Sequence, residues 1–109
     1  MLLDRTKQLL DAIIGCAELL GLAKVDILAA KDYLDYNEYE LCLDQIACQL
    51  YEYEIEVTQS FISLVDLALN KMKLPADTHS YLKELIKSKS NIPYSTIQQI
   101  DTIANQHLK

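Results

Sequence analysis

Apolar residues recur at helical spacing along almost the whole chain, and this periodicity constrains the fold more than any other feature of the sequence. Only two glycines and two prolines interrupt the 109 residues, which leaves little material for hairpins or glycine-rich phosphate loops. The length suits one domain with a single core. The sequence therefore predicts an all-α fold, a compact bundle of five or six short helices that forms one domain over residues 1–109.

Turn-forming residues divide the first half of this pattern into three helices. Gly21 is a natural stop for the first helix, and the second runs from about Lys24 or Val25 to Tyr36. Asn37 then breaks the pattern, since asparagine tolerates left-handed backbone. We expect the third helix over about Glu38 to Tyr53. It is followed by an extended connection over residues 54–57, whose four alternating residues are too few to predict a paired strand.

The second half predicts three more helices. Thr58 or Ser60 can cap the fourth. Pro75 and Asp77 are expected to open the fifth, and residues 88–93 form a clear break. Ser95 and Gln98 match a capping box for the last helix. Across the chain, the apolar positions expected to face the core are Leu2, Leu9, Leu10, Ile13, Cys16, Ala17, Leu20, Ile27, Ala30, Leu34, Tyr39, Leu43, Ile46, Leu50, Tyr53, Phe61, Leu64, Val65, Ala68, Met72, Leu82, Leu85, Ile86, Ile97, Ile100, Ala104 and Leu108.

Negative charge is concentrated in the middle of the chain. Residues 26–56 hold nine of the sixteen carboxylates and a single basic residue, Lys31, which gives a local charge of −8 within a chain of net charge −6. The same segment holds five of the seven tyrosines. Of these, Tyr36, Tyr51 and Tyr33 are expected at the surface, whereas Tyr39 and Tyr53 suit the core. Carboxylates attract cationic partners and tyrosine offers rigid apolar area with a polar tip, so this pattern favours binding of a basic protein.

The acidic balance also argues against some partners and locations. Nucleic acids and anionic membranes both repel a surface of net charge −6. The first five residues lack the basic start of a signal peptide, and the longest apolar run, residues 12–17, is far too short to cross a bilayer. We therefore expect a cytoplasmic protein that binds neither nucleic acid nor membrane.

Residue types that carry catalysis or metal binding are scarce. The only imidazoles are His79, expected to be solvated beside a helix start, and His107, close to the last residue of the sequence. The three cysteines fit no metal spacing and are expected to be buried, reduced thiols. The carboxylates lack the glycine of a calcium loop and the Glu-x-x-His pairs of di-metal bundles. We predict no enzyme activity, no catalytic residue, no metal site and no cofactor.

The third helix carries a family resemblance. The stretches Asn37-Glu38-Tyr39-Glu40-Leu41-Cys42-Leu43 and Gln49-Leu50-Tyr51-Glu52-Tyr53-Glu54-Ile55 resemble the MafI family of immunity proteins, which is related to some immunity proteins of contact-dependent growth inhibition (CdiI-type). The resemblance covers residues 35–57 well and the rest only in helical layout. It implies a small helical bacterial protein that neutralises a cognate toxin domain by binding it as a monomer. Some toxins paired with such proteins resemble EndoU-type RNases, whose RNA-binding clefts are basic.

Together, the charge pattern and the resemblance predict the partner-binding residues. The carboxylates would meet lysine and arginine, and two tyrosines would act as anchors. The predicted site consists of Asp32, Asp35, Tyr36, Glu38, Glu40, Asp44, Tyr51, Glu52 and Glu54. Two alternatives stay open. The acids can form an ordinary solvated face, or the chain can be a helical adaptor or regulator that binds another basic protein or homodimerises through apolar faces.

Overall fold

The first helix lies at the centre of the fold. A computed structural model describes residues 5–108, and in it α1 spans Arg5–Leu20. Its buried face carries Leu9, Leu10, Ile13, Ile14, Cys16 and Ala17. The helix ends at Gly21, whose φ of 108° suits a residue without Cβ, and Leu22 N–H then donates to Ala17 O. The predicted stop is confirmed, whereas Leu2 lies outside the described residues.

Helices α2 (Lys24–Asp35) and α3 (Tyr39–Glu52) fold back on each other around a short turn. The turn contains Asn37, whose positive φ of 62° confirms the left-handed backbone expected there. Asn37 N–H donates to Leu34 O and Glu38 N–H to Tyr33 O, so these bonds satisfy carbonyls at the end of α2. The predicted core positions of both helices are buried, with two exceptions. Tyr39 is half-buried against the core, and Tyr53 is exposed.

Helix α4 (Gln59–Lys71) starts at a side-chain cap. The Thr58 hydroxyl accepts a hydrogen bond from Phe61 N–H at 3.1 Å, which identifies Thr58 as the capping residue. Before it, residues 55–58 form a non-helical connection, one residue later than the predicted 54–57, because Glu54 lies in the turn that ends α3. This segment is held to the later chain by one backbone hydrogen bond, in which Val57 N–H donates to Leu85 O at 3.1 Å.

The fifth segment differs from its prediction. Pro75 and Asp77 lie in a turn rather than a helix, and only a 3₁₀ helix follows, Ser80–Leu85. The turn is closed by local bonds, in which Thr78 Oγ1 donates to Pro75 O and Ser80 N–H to Asp77 O. In a 3₁₀ helix, residues three apart lie on the same side, and both Leu82 and Leu85 are buried. Ile86, expected inside, is exposed because the helix has already ended.

The last helix, α5, spans Tyr94–His107 and begins directly after Pro93. The predicted capping box is wrong, because Ser95 already lies inside the first turn and no side chain caps the helix. Ile100 and Ala104 are buried as expected, whereas Leu108 is exposed beyond the end of the helix.

The assembled elements confirm the predicted fold class. Helix α1 packs against α2, α3, α4 and α5, and the 3₁₀ helix packs against α3. The part of the chain that the structure describes contains helices and no strand. None of the helices in residues 5–108 is long and apolar enough to cross a membrane.

Candidate functional site

The first group of predicted site residues lies around the turn between α2 and α3. Asp32, Asp35 and Tyr36 share one side of the end of α2, because residues three and four apart are neighbours on a helix. Glu38 and Glu40 follow at the start of α3. All five are exposed, and Tyr36 leaves 74% of its surface in solvent. We call these five residues the turn cluster.

The turn cluster borders an open depression of about 550 Å³, whose lining includes Glu38, Glu40, Asp44 and Lys71. Lys71 is the only basic residue of this lining. Within the described residues, no lysine or arginine forms an ion pair with a carboxylate of the turn cluster. Four carboxylates of the turn cluster therefore face solvent without an ion-pair partner among residues 5–108.

The second group lies at the other end of α3. Tyr51, Glu52 and Glu54, the end cluster, border a second depression of about 350 Å³ together with Glu84 and Leu85 of the 3₁₀ helix. Over the 14 residues of α3, a rise of 1.5 Å per residue separates the two clusters by ~20 Å. The predicted residues thus form two clusters rather than one.

A stripe along α3 connects the two clusters. Glu40, Asp44, Cys48 and Tyr51 are spaced by four, four and three residues, so they lie on one side of the helix. We call this set the α3 stripe. It faces the 3₁₀ helix, whose residues contact its middle and its end. A later segment of the chain therefore packs on the α3 stripe.

A chain of hydrogen bonds joins the α3 stripe to His79 and Tyr81. His79 Nε2 lies 3.1 Å from Asp44 Oδ1, and its Nδ1 lies 3.1 Å from the Tyr81 hydroxyl oxygen. That oxygen lies 3.7 Å from Cys48 Sγ. His79 is only 7% exposed, so these contacts satisfy an imidazole that has little access to water. The expectation of a solvated His79 is wrong, and so is that of a buried Cys48, which is exposed.

Tyr81 also packs against Tyr51, the aromatic residue of the end cluster. The Tyr51 ring packs edge-to-face on Tyr81 at a centroid distance of 4.9 Å and an angle of 70°. The Tyr51 hydroxyl donates to Glu84 Oε1 at 3.1 Å. Tyr51 nevertheless remains 41% exposed. The residue predicted as an anchor is therefore both accessible and fixed in orientation.

Burial and neighbouring acids keep this group of side chains in neutral forms. Burial is the main cause that lowers the pKa of His79, although the Asp44 carboxylate opposes it. Burial also raises the pKa of Tyr81. The hydrogen bond to Glu84 raises the pKa of Tyr51. At neutral pH both tyrosine hydroxyls therefore carry their protons and can donate hydrogen bonds.

The chemistry of the hydrogen-bonded chain differs from that of a cysteine–histidine catalytic pair. Such a pair needs the thiol within hydrogen-bond reach of the imidazole. Here Tyr81 lies between Cys48 and His79, and both imidazole nitrogens already have partners. Within residues 5–108, no three histidine, cysteine or acidic side chains come together to hold a metal ion.

Two acids of the middle segment do not belong to the acidic surface. Asp26 is buried, accepts a hydrogen bond from Gln45 Nε2 at 3.2 Å, and leaves its Oδ2 without a partner among the described residues. Glu56 is half-buried and accepts from Asn91 N–H at 2.9 Å. Gln45 itself is half-buried.

Comparison with protein-family models, with curated proteins and with solved structures finds no match for this chain. The tyrosines show what the sequence could and could not place. Tyr36 and Tyr51 are exposed as predicted, whereas Tyr33 is half-buried against the core and Tyr53 is 61% exposed. His79, Tyr81 and Glu84 were missed, because no local pattern connects them to α3.

Proposed function

We propose that this protein is an immunity-type inhibitor that binds a basic toxin domain through the acidic surface of α2 and α3. The observation that carries the proposal is the concentration of exposed carboxylates in residues 26–56, none of which has a lysine or arginine partner in residues 5–108. Like charges held together destabilise a free protein, and a cationic partner relieves that repulsion. In residues 26–56 the exposed carboxylates are Asp32, Asp35, Glu38, Glu40, Glu52 and Glu54.

Electrostatic attraction explains how such a surface inhibits a nuclease. A cleft that holds RNA carries lysine and arginine for the phosphates, and an acidic protein competes for the same positive charges. Steered association of opposite charges reaches about 10⁸–10⁹ M⁻¹s⁻¹ at low salt. The inhibitor needs no chemistry of its own. An EndoU-type RNase domain is the partner class that we propose, bound in the cytosol of the toxin-producing cell by one copy of this protein.

The exposed tyrosines add aromatic contact area, which the carboxylates do not provide. Tyr36 in the turn cluster and Tyr51 in the end cluster offer accessible rings beside the acids, and tyrosine is enriched among the residues that dominate binding energy. A standard interface covers about 800 Å² of each partner, a patch roughly 30 Å across. One partner domain is therefore wide enough to contact both clusters.

The left-handed backbone at Glu54 supports a functional role for the end cluster. Its φ of 51° lies in a region that favours glycine. A glutamate at this position costs stability, and residues held in such conformations are concentrated at functional sites. The end cluster therefore has an acid where the fold alone would favour glycine.

A second candidate function rests on a different surface. Val25, which is 71% exposed, and Leu28 are three residues apart on one side of α2. Exposed apolar residues at this spacing favour a helical partner or a second copy of the chain. This adaptor function predicts self-association or peptide binding that depends little on salt.

A charge-reversal experiment with a matched control tests the proposed function. The site variant Asp35→Lys/Glu38→Lys and the control variant Glu18→Lys/Asp66→Lys replace two exposed acids each and raise the net charge equally. We expect the site variant to lose at least about tenfold in affinity for a basic EndoU-type RNase domain and to show a weaker salt dependence. The control variant should bind like the wild type.

Asp44 is left out of the site variant because it bonds to His79 and its reversal would disturb the fold. Circular dichroism of both variants checks that the helices remain. Equal affinity of the site and control variants would contradict the acidic surface as the binding site. A dimer that dissociates in a Val25→Lys variant, together with no binding of basic domains, would favour the adaptor function.

A further inference from the structure

His79 is the one buried histidine in the part of the chain that the structure describes, and it lies beside the acidic surface. The turn before the 3₁₀ helix places its imidazole against the middle of the α3 stripe. Its partners are Asp44 on α3 and Tyr81 on the 3₁₀ helix. A change in its charge would therefore occur between the turn cluster and the end cluster.

In the neutral ring, both nitrogens of His79 have a hydrogen-bond partner. Nε2–H donates to the Asp44 carboxylate, so Nδ1 carries no proton and accepts from the Tyr81 hydroxyl. The Tyr81 oxygen is then free to accept from the Cys48 thiol at 3.7 Å. Each donor in this series of hydrogen bonds has one acceptor.

Protonation of Nδ1 reverses the direction of the hydrogen bonds that link His79, Tyr81 and Cys48. The ring then has two donors, so the Tyr81 oxygen must accept from Nδ1 and its own O–H must turn toward Cys48 Sγ. The Tyr51 ring packs on Tyr81 and bonds to Glu84. Protonation thus adds a positive charge beside the acidic surface, next to the tyrosine on which Tyr51 packs.

We propose that His79 makes capture of a basic partner proton-dependent, with the neutral imidazole as the binding-competent form. The inference rests on the proposed function, since it concerns regulation of the same surface. Acidification over the range in which histidine titrates weakens binding, and a bound cationic partner in turn disfavours the imidazolium.

The charged surroundings of His79 agree with a neutral ring at pH 7. Three ionisable groups face the imidazole. Asp44 on α3 and Tyr81 on the 3₁₀ helix contact it directly, and Cys48 on α3 contacts the Tyr81 hydroxyl. Burial lowers the pKa of the imidazole despite the attraction of Asp44. The acidic surface is therefore binding-competent at neutral pH, and its affinity for a basic partner falls on acidification.

A cationic peptide serves as the probe. Fluorescence anisotropy with fluorescein-labelled octa-arginine is measured at about pH 7.5 and about pH 5.5 at constant ionic strength. For the wild type we expect the affinity to fall more than for His79→Gln, by up to about two- to threefold, which is the effect of one full charge within about 7 Å in water. His107 is present in both proteins and does not affect the comparison.

A second measurement follows the protonation of the His79 ring directly. The midpoint of the His79 Cε1–H signal in a proton NMR titration should move to lower pH when octa-arginine saturates the protein. An Asp44→Asn protein should also show a lower midpoint, because the carboxylate that favours the imidazolium is gone. A His79→Asn protein should show the same pH dependence of binding as His79→Gln.

The outcomes separate the two proposals. Binding that has the same pH dependence in the wild type and in His79→Gln, or a midpoint that octa-arginine leaves unchanged, would overturn the proton linkage alone. Absence of octa-arginine binding at both pH values would overturn the proposed function and the linkage together.

Discussion

Asp44 and His79 face each other at 3.1 Å, and this contact joins the middle of α3 to the turn that precedes the 3₁₀ helix. The Asp44 side chain is half exposed, whereas that of His79 is almost fully buried. The pair therefore connects the solvent-facing acidic surface to the interior. Any change in it is expected to affect both stability and binding.

Stability should depend on pH through His79. Its pKa in the fold lies below the ordinary value of 6.5, so the unfolded chain takes up a proton first as the pH falls. The contribution of His79 is complete above about pH 6.5 and declines as the pH falls toward the lower pKa of the folded state. In urea denaturation at several pH values, the free energy of unfolding should fall more steeply with decreasing pH for the wild type than for His79→Gln. Parallel curves would contradict this prediction.

Removal of one hydroxyl group should destabilise the fold more than surface substitutions do. Tyr81→Phe keeps the ring under Tyr51 but leaves His79 Nδ1 without its donor. We expect a loss of about 1–2 kcal/mol in the free energy of unfolding. Tyr94→Phe, at an exposed tyrosine, is the matched control. Equal stabilities of the two variants would show that the buried hydrogen bonds contribute nothing measurable.

The strained backbone at Glu54 predicts a variant that gains stability and loses binding. Glu54→Gly should raise the free energy of unfolding by about 1 kcal/mol, because glycine adopts a positive φ without steric cost. It should also weaken capture of a basic domain, since one exposed carboxylate is lost. Asn37→Gly is the control, with a smaller gain and unchanged binding. A less stable Glu54→Gly protein would contradict the argument from strain.

The thiols should differ sharply in reactivity. Cys48 is exposed, whereas burial raises the pKa of Cys16 to about 11 and that of Cys42 to about 12. An aromatic disulfide reagent should modify Cys48 in the folded protein and the other two cysteines only after unfolding. A Cys48→Ala protein should not react while folded. Rapid reaction of more than one thiol in the folded wild type would contradict the burial of Cys16 and Cys42.

Local patterns in the sequence account for most of the fold. The apolar periodicity of α1 to α4, the stop at Gly21 and the cap at Thr58 all depend on residues within a few positions of one another. Where the prediction was wrong, contacts that the apolar periodicity does not show decided the structure. A helix was expected after Pro75, but the turn bonds there leave only a 3₁₀ helix, which suits the spacing of Leu82 and Leu85.

The site was predictable only in part, for the same reason. The acids and the exposure of Tyr36 and Tyr51 follow from charge and helical position. The contacts that hold Tyr51 and Asp44 come from His79, Tyr81 and Glu84, which lie far away in the sequence. Helical position alone also misplaced Tyr53, because α3 ends at Glu52 and the ring turns outward.

The packing of the 3₁₀ helix against α3 has a consequence for synthesis on the ribosome. A nascent chain that has released α3 but not yet Tyr81 and Glu84 displays its acids while Tyr51 still lacks its supports. The tyrosine is oriented only once the later segment has emerged and docked. The proposed binding surface should therefore be complete only after the segment that holds Tyr81 and Glu84 has left the exit tunnel.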